Sequence, residues 1–309
     1  MDILGRRTGQ PVHQLLGGRV REHLTAYRHA FGWDLPSLLD QVDRRLAEGC
    51  THVRVQSGVP GLDTVYGVSR ETVYEPAGRA ARPVEERWDA ERYIATVPGV
   101  LGAVREHVGD GIGLLHDAHH RLTPNQAARL ARAVEPVGLY WLEDVTPAED
   151  QEALALVRSH TTTPLAIGEV FNTVWDCQRI IEERLTDYIR CAVVHAGGIS
   201  HARKIFALAE IHGVGAAPHG PSDISPIGLA ASIHLGMATH NAAIQEYMGH
   251  PEPAHEAFPH AWTFSDGHLD PGDAPGLGVE LDEKVLLAHP YDAAHLPVAR
   301  ALDGTLTDW

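Results

Sequence analysis

Apolar and polar positions along the chain follow two alternating rhythms. Short apolar runs that stop on polar or charged residues have the pattern of strands buried on both faces. They fall at 23–30, ending near His29, at 51–56, in LLHDAHH up to Asp117, in YWLED up to Asp144, in LAIGE up to Glu169, and at 188–195, 213–220 and 242–247. Helical periodicity occupies the gaps: at 35–47, closed by Gly49; at 88–108, where Pro98 marks a break; after Thr123 and Pro124, an N-cap and first-turn pair; and from the AGGIS turn to residue 211. Eight strands with interposed helices predict an α/β fold, a parallel barrel. The second strand delivers Arg54 and Gln56 towards the rim.

Three stretches lie outside this rhythm. The opening, DILGRRTGQPVHQLLGG, reads as the end of a helix, a Gly-Gln-Pro break, a short helical turn and a stop at Gly17 and Gly18, with nothing ahead of it to pack against. Residues 57–88 form the longest irregular connection, rich in Gly, Pro and Arg. A loop of that length in a compact domain is functional or disordered, and Tyr66 and Tyr74 argue for order. From residue 251 the chain is rich in Pro, Gly, Asp and His with little periodicity. The domains predicted are therefore 1–22, a leading helix and linker; 23–250, the barrel; and 251–309, a covering segment.

Asp117, Glu143 and Glu169 close three successive apolar runs at equal intervals, and about 25 residues suits one strand, one crossover helix and two short loops. Parallel strands all point one way, so three such acids converge on the rim where barrel active sites lie. Converging carboxylates repel one another unless a cation sits among them. An all-oxygen set is the preference of magnesium, with room left for waters and a substrate carboxylate. Singly, each acid is better explained as a helix cap or a solvated loop residue; the equal spacing of three points to a metal.

Length and composition narrow the partners. With 309 residues, 44% of them hydrophobic, the chain has material for one barrel and extra segments. A formal net charge of −16 repels nucleic acid and anionic membrane. Cys50, Cys177 and Cys191 are odd in number and lack metal-ligand or CxxC spacing, which fits free thiols in a reducing cytoplasm. No segment has the apolar length of a membrane span, and MDILGRRTGQ has no signal-peptide core, so a cytoplasmic protein is expected. Lys204 and Lys284 are the only lysines, which nearly removes lysine as a catalytic base.

The three acids at strand ends, the RxQ of the second strand, HDAHH, WLED, GE, HAGGI and HGPSD resemble the enolase superfamily. More closely they resemble its mannonate dehydratase subgroup, which includes proteins once called starvation-sensing. The resemblance runs from residue 2 to residue 309 and takes in FPHAWTFSDGHLDPGDAPGLGV and DGTLTDW. It implies a modified (β/α)7β barrel, magnesium as cofactor, a homo-oligomer, and dehydration of a sugar acid such as D-mannonate to 2-keto-3-deoxy-D-gluconate. The family opens with an α+β capping domain whose loops close over the substrate. This chain starts at what resembles the last helix of that domain, so 1–22 is expected to be its remnant and most of the cap to be absent.

Dehydration begins by removing the proton next to a carboxylate, and a divalent ion stabilises the dianion that results. Asp117, Glu143 and Glu169 would hold that ion. Other branches of the superfamily use a lysine pair on the second strand or a histidine and aspartate pair on the seventh and sixth. Here the second strand offers Arg54 and Gln56, and the sixth ends near Arg190 with no aspartate in place. The resemblance supplies Tyr66 as the base with Arg54 beside it; a phenol titrates near about 10 unperturbed, and a guanidinium favours the phenolate. Alone, Tyr66 reads as a packing residue of the loop. His119 shares the strand face of Asp117 and is placed to protonate the departing 3-hydroxyl, or to act as a structural hydrogen-bonding group. His116 and His120 alternate to the other face as structural residues. By resemblance His29, Arg190, His219, Asp223 and Glu246 contact substrate, although Asp223 also reads as a helix cap. Pro221 bears on which sugar acid is used: Pro goes with mannonate dehydration, Ala with weaker and broader gluconate and mannonate activity.

The function expected is thus a magnesium-dependent D-mannonate dehydratase. Two further readings stay open, a low-activity D-gluconate dehydratase and a catalytically silent or regulatory metal-binding relative, the latter suggested by the missing cap. A zinc-dependent barrel hydrolase is opposed by the lone His29 in YRHA, where an HxH pair would stand, and by an all-carboxylate trio.

Overall fold

Parallel strands carry the fold, and the chain divides into two compact units. The first is built from His29–Ala47, Thr51–Leu165 and Tyr291–Trp309, the second from Met1–Arg28, Glu48–Cys50 and Ala166–Pro290. The structure is a computed structural model that describes residues 1–70 and 83–307; Tyr74 lies outside the described residues. Among those described, no helix is long and apolar enough to cross a membrane.

In the first unit the strands His52–Ser57, Gly113–Asp117 and Trp141–Glu143 run parallel, with Arg54 opposite Leu115, Leu115 opposite Trp141 and Asp117 opposite Glu143. Register therefore sets two of the equally spaced acids side by side. Val53, Val55, Leu114, Leu115, Trp141 and Leu142 are all buried, as a sheet covered on both faces requires. The helix Leu35–Ala47 forms as predicted, and Pro124–Ala133 starts at Thr123, whose backbone N–H donates to Gln126 Oε1 at 3.1 Å. The helix Ala90–Val108 runs through Pro98 without the predicted break. Tyr93, Ile94, Val97, Leu101 and Val104 bury one stripe of it, and that packing outweighs the roughly 3 kcal/mol that an interior proline costs.

The long connection carries structure of its own. Thr64–Val65 and Val68–Ser69 form a hairpin whose turn residues, Tyr66 and Gly67, have φ of 45° and 72°, the left-handed pair of a type I′ turn. Glu85–Trp88 lies parallel to Val298–Ala301, with Trp88 opposite Ala301. The C-terminal region is thus less irregular than its pattern suggests, because a strand of four residues is too short to show a period.

In the second unit Leu165–Ile167, Tyr188–Ile189 and Gly215–Ala216 run parallel; Gln245–Glu246 pairs in parallel, and His268–Asp270 in antiparallel, with the strand Leu24–Gly32. The strands predicted at 188–195, 213–220 and 242–247 shrink to two-residue ladders. An apolar run marks buried extended chain, whereas a ladder also needs a neighbour in register. Beyond Ile189 the chain turns into Gly197 and Gly198, at φ of 78° and 88°, and Pro218 has no N–H to donate. The helix Pro226–Met237 is buried on nearly all sides, and its Leu229, Ala230, Ile233 and Met237 share one core cluster with Leu24, Ala26, Trp262 and Leu269.

The opening helix Asp2–Thr8 is clasped by chain that follows. Leu277 N–H donates to Asp2 Oδ1 at 2.8 Å, Arg6 pairs with Glu280 at 2.7 Å, and Val12 N–H donates to Gly276 O at 2.9 Å. A Cβ on Gly5 would stand 2.8 Å from Gly276 Cα, so only glycine allows this approach.

Two buried histidines in this unit share one consistent proton arrangement. His13 N–H donates to His234 Nδ1 at 3.2 Å, which makes that nitrogen an acceptor; His13 Nδ1 then donates to it at 3.1 Å, Arg19 Nε donates to His13 Nε2 at 3.4 Å, and His234 Nε2 donates to Leu277 O at 3.3 Å. Both rings are neutral. Burial, reinforced by Arg19 at His13 and by His13 at His234, depresses their pKa values, that of His234 from 6.5 to about 4; Asp270 and Asp273 at His13, and Asp2 at His234, oppose this more weakly. The unfolded chain takes up these protons at a higher pH than the folded chain does. Stability from this pair is therefore complete above the ordinary imidazole value and is lost as pH falls towards 4. We expect Tm to fall between pH 7 and pH 5 and to fall less steeply in His234→Gln; equal slopes would refute the assignment.

Candidate active site

In the first unit Arg54, Asp117, His119 and Tyr66 form one contact set. Arg54 Nη1 lies 2.9 Å from Asp117 Oδ2, and its Nη2 lies 3.0 Å from His119 Nε2 and 3.2 Å from Gln56 Oε1. His119 Nε2 is also 3.0 Å from Asp117 Oδ2, and His119 N–H donates to Asp117 Oδ1 at 2.7 Å. The Tyr66 ring stacks on that of His119 with centroids 3.5 Å apart. A guanidinium only donates, so His119 Nε2 accepts from Arg54 and the ring proton sits on Nδ1. Burial, then Arg54 and Arg121, hold His119 well below the ordinary imidazole range, so the ring is neutral. Its Nδ1 is buried with no hydrogen-bond partner among the described residues. A bound molecule would satisfy such a donor.

Beside this set Asp117, Glu143 and Asp144 each bring a carboxylate oxygen within 4.8 Å of the others. All three are buried, and Trp141 Nε1 donates to Glu143 Oε2 at 2.9 Å. Three buried carboxylates this close are costly without a cation. Their hard oxygen donors fit Mg2+.

The route by which His119 arrives differs from the one expected. The strand ends at Asp117, and His119 and His120 follow at φ of 51° and 60°. This left-handed turn, rather than strand alternation, brings His119 back to Asp117, and it puts His120 Nε2 3.4 Å from Asp144 Oδ2. With Tyr66 at 45° and Asp144 at 43°, four of the six non-glycine residues at positive φ among those described belong to this set. Such strain clusters at functional sites. His116 is held between Val55 O at 2.8 Å and the Tyr93 hydroxyl at 2.6 Å, and burial lowers its pKa to about 4. His29 is buried with its ring edge-on to Phe31.

The second unit gathers Glu169, Arg190, His219 and Glu246. Glu169 follows Gly168, which at φ 132° turns the chain off the strand end. His219 Nε2 lies 3.1 Å from Glu169 Oε2 and 3.7 Å from Glu246 Oε2, and Glu246 Oε2 accepts from Arg190 Nη2 at 2.5 Å and from Gly220 N–H at 2.9 Å. Burial disfavours a charge on His219, but Glu169 and Glu246 outweigh it and raise the pKa above the ordinary value. Its Nδ1 is buried without a hydrogen-bond partner among the described residues. Pro221 follows directly, and Asp223 stands exposed on the next turn, outside this contact set.

Sequence reasoning passed over Asp144 as a possible ligand, although WLED contains it, and it passed over Glu86, Trp88 and Arg121. Arg121 follows HDAHH directly, but nothing local signals that it is buried against aromatic rings.

The family model described as Enolase C-terminal domain-like matches residues 37–285. A D-galactonate dehydratase family member from Streptomyces bingchenggensis is 62% identical over 309 residues, 100% of this chain and 75% of that protein. A D-mannonate dehydratase from Rhizorhabdus wittichii is 48% identical over 308 residues, 100% of this chain and 77% of its own. Among solved structures, an enolase from Pantoea ananatis with bound D-gluconate and Mg superposes with a TM-score of 0.89 at 34% identity, covering 99% of this chain and 76% of that one. These matches carry with them the α/β, TIM-like barrel fold class, the use of Mg2+ and hydro-lyase chemistry. The chain belongs to the enolase superfamily, among its sugar acid dehydratases.

Proposed function

We propose that the chain is a Mg2+-dependent D-mannonate dehydratase that forms 2-keto-3-deoxy-D-gluconate and water. The observation that carries this reading is His119 Nδ1–H, a buried donor without a protein partner on a ring stacked against Tyr66 and bonded to Arg54. In this reading Asp117 and Glu143 hold the ion together with Glu169, which follows Glu143 at the same interval as Glu143 follows Asp117. Bound Mg2+ supplies charge stabilisation at the substrate carboxylate as the C2 proton leaves. Tyr66, as phenolate with Arg54 one ring away, takes that proton. The electron pair left on C2 forms the C2–C3 double bond and the C3–O bond breaks; His119 Nδ1–H donates a hydrogen bond to the departing hydroxyl, which leaves as water with the proton that Tyr66 took from C2. The enol then takes a proton at C3 and becomes the 2-keto acid. His29, Arg190, His219, Asp223 and Glu246 orient the remaining hydroxyls. Arg190 and Gly220 N–H fix Glu246 as an acceptor, and His219 offers Nδ1–H as a donor.

A second reading, D-gluconate dehydration, is favoured by the gluconate bound to the Pantoea ananatis relative. Assaying a panel of D-hexonates with Mg2+ for 2-keto-3-deoxy acid separates the two. We expect turnover of D-mannonate foremost; turnover of D-gluconate alone, or of no hexonate while Mg2+ still raises Tm, would overturn the mannonate reading. Pro221→Ala is expected to lower kcat/KM for D-mannonate and to narrow its lead over D-gluconate, because proline restrains the backbone next to the Gly220 N–H that holds Glu246. An unchanged ratio would remove Pro221 from specificity. A cytoplasmic location is part of the proposal, supported by three free cysteines, of which Cys177 and Cys191 lie 3.5 Å apart. So is a homo-oligomer, supported by exposed Trp175 and Ile211 and checked by light scattering.

A further inference from the structure

Arg121 is a buried guanidinium set among aromatic rings. Its Cζ lies 4.3 Å from the Trp88 ring centroid, 5.4 Å from that of Tyr66 and 5.9 Å from that of Tyr93, and its Nε donates to Ala118 O at 3.3 Å. Burying this charge is costly, and ring faces offset part of the cost. An apolar side chain would pack here more cheaply, so what the cation holds in place matters. One of those rings is Tyr66, kept at φ 45° in a turn that favours glycine or asparagine. The half-buried Glu86 carboxylate accepts hydrogen bonds from Tyr66 N–H and from the Thr64 hydroxyl. Glu86 and Trp88 lie two residues apart on the strand Glu85–Trp88, hence on one face. That strand is itself paired with Val298–Ala301, and Val298 N–H donates to Val84 O at 2.8 Å.

We propose that Arg121 and Glu86 are positioning residues that hold the Tyr66 phenol against His119, Glu86 through the main chain of Tyr66 and Arg121 through the face of its ring. The inference rests on the proposed role of Tyr66 as the base. Neither residue touches the substrate in this scheme; both act on where the phenol stands. The C-terminal strand is part of the same support, because it fixes the segment that carries Glu86 and Trp88.

The test is steady-state kinetics on the Mg2+-loaded full chain. Arg121→Met is expected to lower kcat about tenfold with KM and the Mg2+-induced rise in Tm unchanged, and Arg121→Lys, which keeps a cation over the ring, to recover part of the loss. Glu86→Ala should lower kcat more than Glu86→Gln, which keeps an acceptor for the Tyr66 N–H. In a Tyr66→Phe background Arg121→Met should cost little further, since its effect runs through the phenol. An additive double variant, a parallel change in KM, or no advantage of Lys over Met would overturn the proposal. A fully active Tyr66→Phe would overturn the base role and this inference together. An inactive Tyr66→Phe beside an undiminished Arg121→Met would overturn the inference alone. Should Arg121→Met fail to fold, Arg121→Lys and the two Glu86 variants carry the same comparison.

Discussion

Tyr66→Phe is expected to lower kcat by about 10³-fold while leaving KM and Mg2+ binding close to their original values, the loss typical of removing a general base. The substitution deletes one oxygen and keeps the ring, so the stack on His119 and the cation–π contact with Arg121 survive. The loss therefore falls on proton transfer rather than on packing. Tyr66 is the residue to remove because the other positions open to a base are occupied otherwise. Arg54 is a permanent cation engaged with Asp117, and His119, neutral, has its Nε2 committed to Arg54 and its proton on Nδ1, which suits a donor. His119→Asn, which keeps a donor of poorer acidity, should lose activity on the leaving-group side. Its activity should recover on a substrate analogue whose 3-substituent departs without protonation, while that of Tyr66→Phe should not. Wild-type turnover by Tyr66→Phe would end the proposed mechanism, and the base would have to be sought in the second unit, where His219 stands beside Glu169 and Glu246.

Glu143→Gln is expected to abolish turnover and the rise in Tm on adding Mg2+, yet to leave the metal-free protein as stable as before or more so. The sign follows from charge. Asp117, Glu143 and Asp144 are buried with carboxylate oxygens within 4.8 Å of one another, so each destabilises the ionised form of the others until a cation arrives. Neutralising one relieves that repulsion and removes a ligand. Saturating ligand at a hundred times its Kd stabilises a folded protein by about 2.7 kcal/mol, a shift large enough to see in a melting curve. An unchanged Mg2+ response in Glu143→Gln would exclude it as a ligand, and the same experiment on Asp144→Asn decides whether that acid belongs to the set. Asp117→Asn is the less clean probe, because Asp117 also pairs with Arg54 at 2.9 Å and its loss leaves a buried cation uncompensated.

Much of this was readable along the chain. The equal spacing of Asp117, Glu143 and Glu169, the helix at 35–47, the start at Thr123 and Pro124 and the superfamily itself follow from periodicity, capping chemistry and short motifs. These are properties of a residue and its near neighbours. What depends on distant partners was not readable. Pro98 passes inside a helix because the packed stripe around it outweighs its cost, and the later strands are short because ladder bonds need a neighbour in register. Tyr66, His119, His120 and Asp144 adopt left-handed backbone that no pattern of apolar positions encodes. Arg121, an ordinary basic residue in HHRL, becomes a buried cation only because Trp88 and Tyr93 close over it, and Glu86 reaches Tyr66 only because its strand is tied down near the far end of the chain. The sequence by itself determined which chemical groups recur and on which elements. The tertiary structure decided which of them touch and in what protonation state, because contact energies and pKa values are set by neighbours tens to hundreds of residues away.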